Sequence, residues 1–214
     1  LLQNENSQRW SDLLYAEALA LNTLAQAGIP ASTAKVLTNT QSQTFLEVIR
    51  FDCIGEQGRR GIVSLEAVQS EFASGAQHWP VTMEKLLVQK SVEPATLRLT
   101  QRLWAFGRLI ANSDMHAGNL SFYLSDMPLR LAPVYDMLPM AFAPNSVGNM
   151  RREPVKPQID PVVPREVWLE MLPYARQFWL DASQNQGISE SFQELSCMMA
   201  SELDAVEANV KRLA

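Results

Sequence analysis

The sequence predicts a mainly α-helical fold of the α+β class, with a small antiparallel β component near its start. Three observations predict it. Long windows repeat apolar residues at helical spacing, the β-branched and aromatic runs are few and short, and no internal repeat or low-complexity tract divides the 214 residues. A chain of this length can bury a substantial core.

The elements follow in order. Leu13, Leu14, Ala20, Leu21 and Leu24 predict an amphipathic helix over 11–27, with Ser11 or Asp12 to cap it. Gly28 stops that helix and Pro30 fixes the chain's exit. Lys35–Leu37 and Thr44–Phe51 read as two strands of a small sheet, and Gly55–Gly61 as a polar turn. A short helix is expected over Leu65–Phe72, capped by Ser64, and another from Trp79-Pro80 through Leu87. Leu99, Leu103, Phe106 and Ile110 mark the buried stripe of a longer helix over 94–111. The Ser125-Asp126-Met127-Pro128 turn joins Leu120–Leu124 to Leu129–Ala132 as a hairpin. Residues 143–164 are Pro-rich and read as a surface loop, before two closing helices over 165–181 and 190–212. Trp104, Trp168, Trp179 and the Met198-Met199 pair are expected in the core.

Composition excludes several classes. Hydrophobic residues make up 47% and charged residues 19%, a globular balance. No apolar run is long enough to span a membrane, and the start lacks the pattern of a signal peptide. The net charge of −5 disfavours broad nucleic-acid binding by this chain. The Arg59-Arg60 and Arg151-Arg152 pairs read as solvated loop charge. Cys53 and Cys197 lack metal-ligand spacing and read as free thiols of a cytoplasmic protein rather than a disulfide. The chain begins without Met in a polar stretch, as a piece of a longer protein would.

The chemistry concentrates in Asn112-Ser113-Asp114-Met115-His116-Ala117-Gly118-Asn119 and Val134-Tyr135-Asp136. Phosphoryl transfer needs a carboxylate to aim a hydroxyl and accept its proton, and hard oxygen ligands for metal ions on the nucleotide phosphates. Protein kinases supply an Asp, an Asn five residues later, and a second Asp across a hairpin. Asp114, Asn119 and Asp136 reproduce that order. His116 reads as a group that orders the loop rather than as a second base. Asp-x-His also opens metallophosphoesterase sites, but these need further ligands, and His78 and His116 are the chain's two histidines.

These segments resemble the HipA family of serine/threonine kinases. NSDMHAGNLSF resembles its catalytic signature and APVYDMLP its metal-binding segment. VIRFD followed by RRGIVSLE resembles its hinge strand and next helix, and YAEALALNTLAQAGIP resembles a helix of its N-lobe. The resemblance covers about 15–139 and implies a protein-kinase-like C-lobe, 53–214, with helix, strands and hinge of an N-lobe over 1–52. It makes Asp114 the catalytic base, with His116 in support, and makes Asn119 and Asp136 the Mg²⁺ ligands. Glu17 would pair with a nucleotide-binding lysine, and Ile49, Arg50 and Phe51 would meet the adenine of ATP through backbone groups. The family often has an acidic residue where this chain has Ile49. No glycine-rich loop or strand lysine precedes Glu17, so both are expected upstream, and the chain alone is expected to be an inefficient kinase.

The resemblance further implies the toxin of a toxin–antitoxin system, a protein substrate such as an aminoacyl-tRNA synthetase, and a helix-turn-helix antitoxin. A small-molecule kinase, a non-catalytic regulatory module and a DNA-associated regulator are the alternatives. The first predicts a strongly acidic pocket in the closing helices, whose acidic excess is modest.

Overall fold

The computed structural model describes residues 2–41 and 43–212. Helix α1 spans Leu2–Gln26 and begins well before the expected 11–27. Ser11 and Asp12 therefore lie inside it instead of capping it. The early start is held by Arg9, which donates to the carbonyls of Phe142 and Arg151 and lies over the Phe192 ring. Gly28 takes φ 71° and the Ile29 amide returns to the Leu24 carbonyl, a left-handed helix stop.

Strands β1 (Ala34–Thr38) and β2 (Thr44–Val48) form an antiparallel pair in which Val36 faces Leu46. The expected second strand ran to Phe51, but residues 49–51 leave the sheet. Two residue pairs, Cys53–Ile54 (β3) just before the expected turn and Gly58–Arg59 (β4) within it, form a minute hairpin. Ile62–Ser64 (β5) joins Ser121–Tyr123 (β6) and Arg130–Leu131 (β7) in a three-stranded sheet of order β5-β6-β7. The hairpin was legible in the sequence. Its third strand was not, because three residues beside a helix cap carry no usable period.

Helices α2 (Leu65–Phe72), α3 (Trp79–Val88) and α4 (Pro94–Leu109) follow the expected bounds closely. The Ser64 hydroxyl accepts the Ala67 amide at 3.3 Å, as a capping serine does. Leu103 and Phe106 on α4 and Ile110 at its C-terminal cap are buried, whereas Leu99 is half-buried. Helices α5 (Arg165–Gln184) and α6 (Glu190–Lys211) close the chain and pack on each other. Helix α5 also packs on α4 and α1, so it forms the centre of the helical body. Phe106, Phe178, Trp179, Phe142 and Phe192 form a continuous edge-to-face aromatic chain there.

Trp104, Trp168, Trp179 and Met199 are core residues as expected, but Met198 is 41% exposed. One helical step rotates a side chain by about 100°, so adjacent methionines cannot both face the same core. Cys53 and Cys197 are free thiols. No helix among the described residues is long and apolar enough to cross a membrane.

Candidate active site

Helix α4 hands the chain to the polar loop through Ala111 at φ 60°, with the Asn112 amide bonded to the Gly107 carbonyl at 2.8 Å. A left-handed alanine is costly, by about 1–2 kcal/mol, and is tolerated when its surroundings fix it. A side chain at Gly107 would overlap Met115 and crowd Met137. Glycine there lets both segments of the site lie against α4.

Asn112 is buried and joins the two halves of the constellation. Its Oδ1 accepts the Asp114 amide at 2.9 Å, while its Nδ2 faces the Asp136 carbonyl at 3.5 Å and the Met137 sulfur at 3.7 Å. Asn119 is also buried, and its Nδ2 donates to the Asp114 carbonyl at 3.0 Å. That bond directs its Oδ1 to other work. His116 accepts the Gly118 amide through Nδ1 at 3.0 Å, and its carbonyl receives Trp79 Nε1 at 3.0 Å. The Tyr135 hydroxyl donates to the Gly118 carbonyl at 3.0 Å and meets the Ser121 hydroxyl at 2.8 Å. The loop is thus fixed from α3, α4, β6 and the Asp136 segment, while the side chains of Asp114 and His116 stay exposed.

The Asp136 segment is fixed from the other side. Val134 exchanges backbone bonds with the turn after α1, its amide reaching Pro30 at 3.0 Å and its carbonyl accepting Ser32 at 2.9 Å. Asp136 itself has φ 55°, a left-handed conformation that Asp tolerates better than most residues. Its carboxyl is pushed above the ordinary range by burial and then by the charge of Asp114, with His116 opposing. Glu17 is raised to about 7, first by burial and then by the charge of Asp136, against the Asp136 amide that hydrogen-bonds it. Among the described residues, no Lys or Arg forms an ion pair with Glu17, Asp114 or Asp136.

Behind these acids lies a cavity of about 310 Å³ lined by Glu17, Ser32, Val48, Phe51, Tyr135 and Asp136. Ile49 and Arg50 also border it. The Ile49 side chain is 63% exposed, and its amide is already bonded to the Thr33 carbonyl at 2.9 Å. An adenine edge would therefore need other backbone groups than that amide. Arg50 clasps Asp52 at 2.9 and 2.6 Å, and the Phe51 ring stacks on Tyr135 at 5.8 Å. The Ser32 hydroxyl is buried and has no partner among the described residues. A buried orphan hydroxyl in a cavity wall calls for a polar ligand.

All the residues singled out from sequence gather here. Glu17, Ile49, Arg50, Phe51 and Asp136 border the cavity, while the charges of Asp114 and His116 act on the Asp136 carboxyl and Asn119 holds the Asp114 carbonyl. Asn112, Ser32 and Tyr135 were missed as site residues. Their signal is only tertiary, because each acts through partners distant in sequence. The donors suit Mg²⁺: one buried amide oxygen and one carboxylate whose raised titration a cation would relieve.

The sequence model of the HipA-like C-terminal domain family matches residues 2–202. Toxin YjjJ of Escherichia coli K12 is 48% identical over 211 residues, covering 99% of this chain and 48% of that protein. The chain therefore spans about half the length of this relative. Among solved structures, the Helicobacter pylori proinflammatory kinase CtkA aligns with a TM-score of 0.62 at 14% identity, covering 94% of this chain and 84% of that one. HipA of Shewanella oneidensis MR-1, solved with HipB and operator DNA, aligns at 0.56 and 15% identity, covering 94% and 55%. At such identities the two structures speak for the fold, which is kinase-like. The family match and the relative together decide the lineage: the chain belongs to the HipA-like C-terminal domain family.

Proposed function

We propose that the chain is the catalytic portion of a serine/threonine protein kinase that moves the γ-phosphoryl group of ATP to a protein hydroxyl with Mg²⁺. One observation carries the reading. The Asp136 carboxyl borders a cavity closed by Glu17 and the 49–51 segment and feels the charge of Asp114, whose carbonyl Asn119 Nδ2 holds at 3.0 Å. Asn119 Oδ1 and the Asp136 carboxylate would hold Mg²⁺, which when bound neutralises phosphate charge. Asp114 aims the substrate hydroxyl and takes its proton as the oxygen bonds to the γ-phosphorus and ADP departs. Asn119 and Asn112 hold the Asp114 backbone while this happens. Arg50 and Phe51 offer backbone groups to adenine, and Glu17 offers its carboxylate to a nucleotide-binding lysine.

The identity to Toxin YjjJ supports a toxin role, and the likeness to HipA solved with HipB supports an antitoxin partner. On the family resemblance, that partner is a helix-turn-helix protein and the substrate a protein such as an aminoacyl-tRNA synthetase. The setting is the cytoplasm.

The test uses the protein at its full natural length, with γ-labelled ATP, Mg²⁺ and a cell extract. Labelled protein is expected with the native sequence, and Asp114→Ala should lose at least about a hundredfold in transfer while keeping nucleotide. Asp136→Asn should lose Mg²⁺-dependent nucleotide binding. Full activity of Asp114→Ala would sink the assignment. Nucleotide binding with no label would favour a non-catalytic module or a small-molecule kinase.

A further inference from the structure

A second hollow, of about 410 Å³, opens beside the catalytic loop at Asn112 and Ser113. Arg108, Arg151 and Lys156 line it, from the end of α4 and from the segment that follows the Asp136 turn. The chain as a whole carries 23 acidic against 18 basic residues, yet none of these three cations forms an ion pair among the described residues. Arg108 donates through Nη2 to Gln158 at 2.7 Å and keeps a buried Nε without a partner. Arg151 and Lys156 are exposed. Glu153 lines the adjoining hollow with Arg151 and Arg152 and pairs with neither among the described residues, and the exposed Asp114 follows Ser113 at the lip.

The strip is held in place rather than trailing in solvent. The Arg151 carbonyl is bonded to the buried Arg9 at 3.1 Å, and Arg152 pairs with Glu5 at 2.7 Å. The backbone that carries Arg151 is therefore positioned before any partner arrives, which lowers the ordering cost of binding one. Ser113, at the lip of the hollow, directly precedes Asp114. Whatever enters the hollow arrives next to the proposed base.

We infer that this hollow receives an acidic segment of the substrate protein, so that the accepted hydroxyl lies among Asp and Glu side chains. The inference rests on the kinase reading and assigns it a substrate class. Three cations on an otherwise acidic chain are too few to track a nucleic-acid backbone. They suffice to select carboxylates over neutral side chains and to repel basic segments.

The experiment measures binding of short fluorescent peptides to the full-length protein, each with a central Ser. One peptide is flanked by Asp and Glu, its counterpart by Asn and Gln, and a third by Lys. The acidic peptide should bind about tenfold or more tightly than its neutral counterpart, and Arg151→Ala/Lys156→Ala should remove about tenfold of its affinity. Arg151→Glu/Lys156→Glu should instead favour the Lys-flanked peptide, a gain that simple unfolding could not produce. Equal binding of the acidic and neutral peptides, an unchanged affinity in the Ala double variant, or displacement of the acidic peptide by a single-stranded oligonucleotide at lower concentration would each overturn it. Labelling the same peptides with γ-labelled ATP separates the two ideas. Selective binding without transfer would fault the kinase reading alone, whereas equal transfer to acidic and neutral peptides would fault the groove alone.

Discussion

The Glu17 carboxyl lies buried under the Asp136 amide, and its titration sits near 7 because both burial and the charge of Asp136 resist ionisation. An unfolded glutamate ionises near pH 4.3. Below that pH both states hold the proton and the site costs nothing. Between there and about 7 the folded chain keeps a proton that the unfolded chain has lost, so stability falls as pH rises through this window. In metal-free buffer Glu17→Gln should therefore leave thermal stability nearly unchanged at pH 4 and raise it at pH 8, by about 3–4 kcal/mol. Equal shifts at both pH values would show that the carboxyl is not strained by its site. Asn112 illustrates the opposite case, a neutral side chain whose value is geometric. Its amide satisfies groups of both the Asp114 and the Asp136 segments, so no charge in the sequence advertises it.

At the scale of elements, α1 does more than its amphipathic face suggests. Asp12 lies inside it, buried, and accepts both the amide and the hydroxyl of Ser189, at 2.8 and 2.6 Å. Ser189 is the capping residue of α6, whose positive end thus meets a carboxylate supplied by another helix. The expectation of Asp12 as a helix cap erred in the helix and not in the chemistry. Asp12→Ala should cost about 1–3 kcal/mol and leave Ser189 unsatisfied. Denaturant unfolding would measure it, and hydrogen exchange should show the first turn of α6 losing protection. A change under a few tenths of a kcal/mol would mean that α6 begins without this contact. The short strands teach a related lesson. β5 exists only because β6 lies beside it, whereas α2 and α3 were legible from their caps and prolines.

Across the whole molecule, the cavity draws on α1, the end of the β1–β2 hairpin and the Asp136 segment at once. A ligand held by all three ties the sheet to the helical body. For the full-length protein, saturating ATP with Mg²⁺ should raise stability by about 3 kcal/mol at a hundredfold excess over the dissociation constant. Chelation of Mg²⁺ should remove most of that gain, and so should Asp136→Asn. A thermal-shift series that is indifferent to Mg²⁺ would count against Asn119 and Asp136 as metal ligands. The chain's surface charge is also unevenly shared. Glu170 pairs with Arg98 and Arg102, while Arg108, Arg151 and Lys156 form no ion pair among the described residues near the catalytic loop.

The sequence alone determined the helical class, the bounds of α2 to α4, the hairpin and the order Asp114, Asn119, Asp136. These features are local: caps, prolines and apolar periods are written within a few turns, and the spacing of the three polar residues is a property of the chain itself. Tertiary structure alone decided that Phe51 lies on Tyr135, that Asn112 bridges two loops, that Asp12 serves a distant helix, and that three scattered cations share one hollow. Such pairings join residues tens of positions apart. Their energies come from burial and from mutual satisfaction of polar groups, which exist only once the chain has folded.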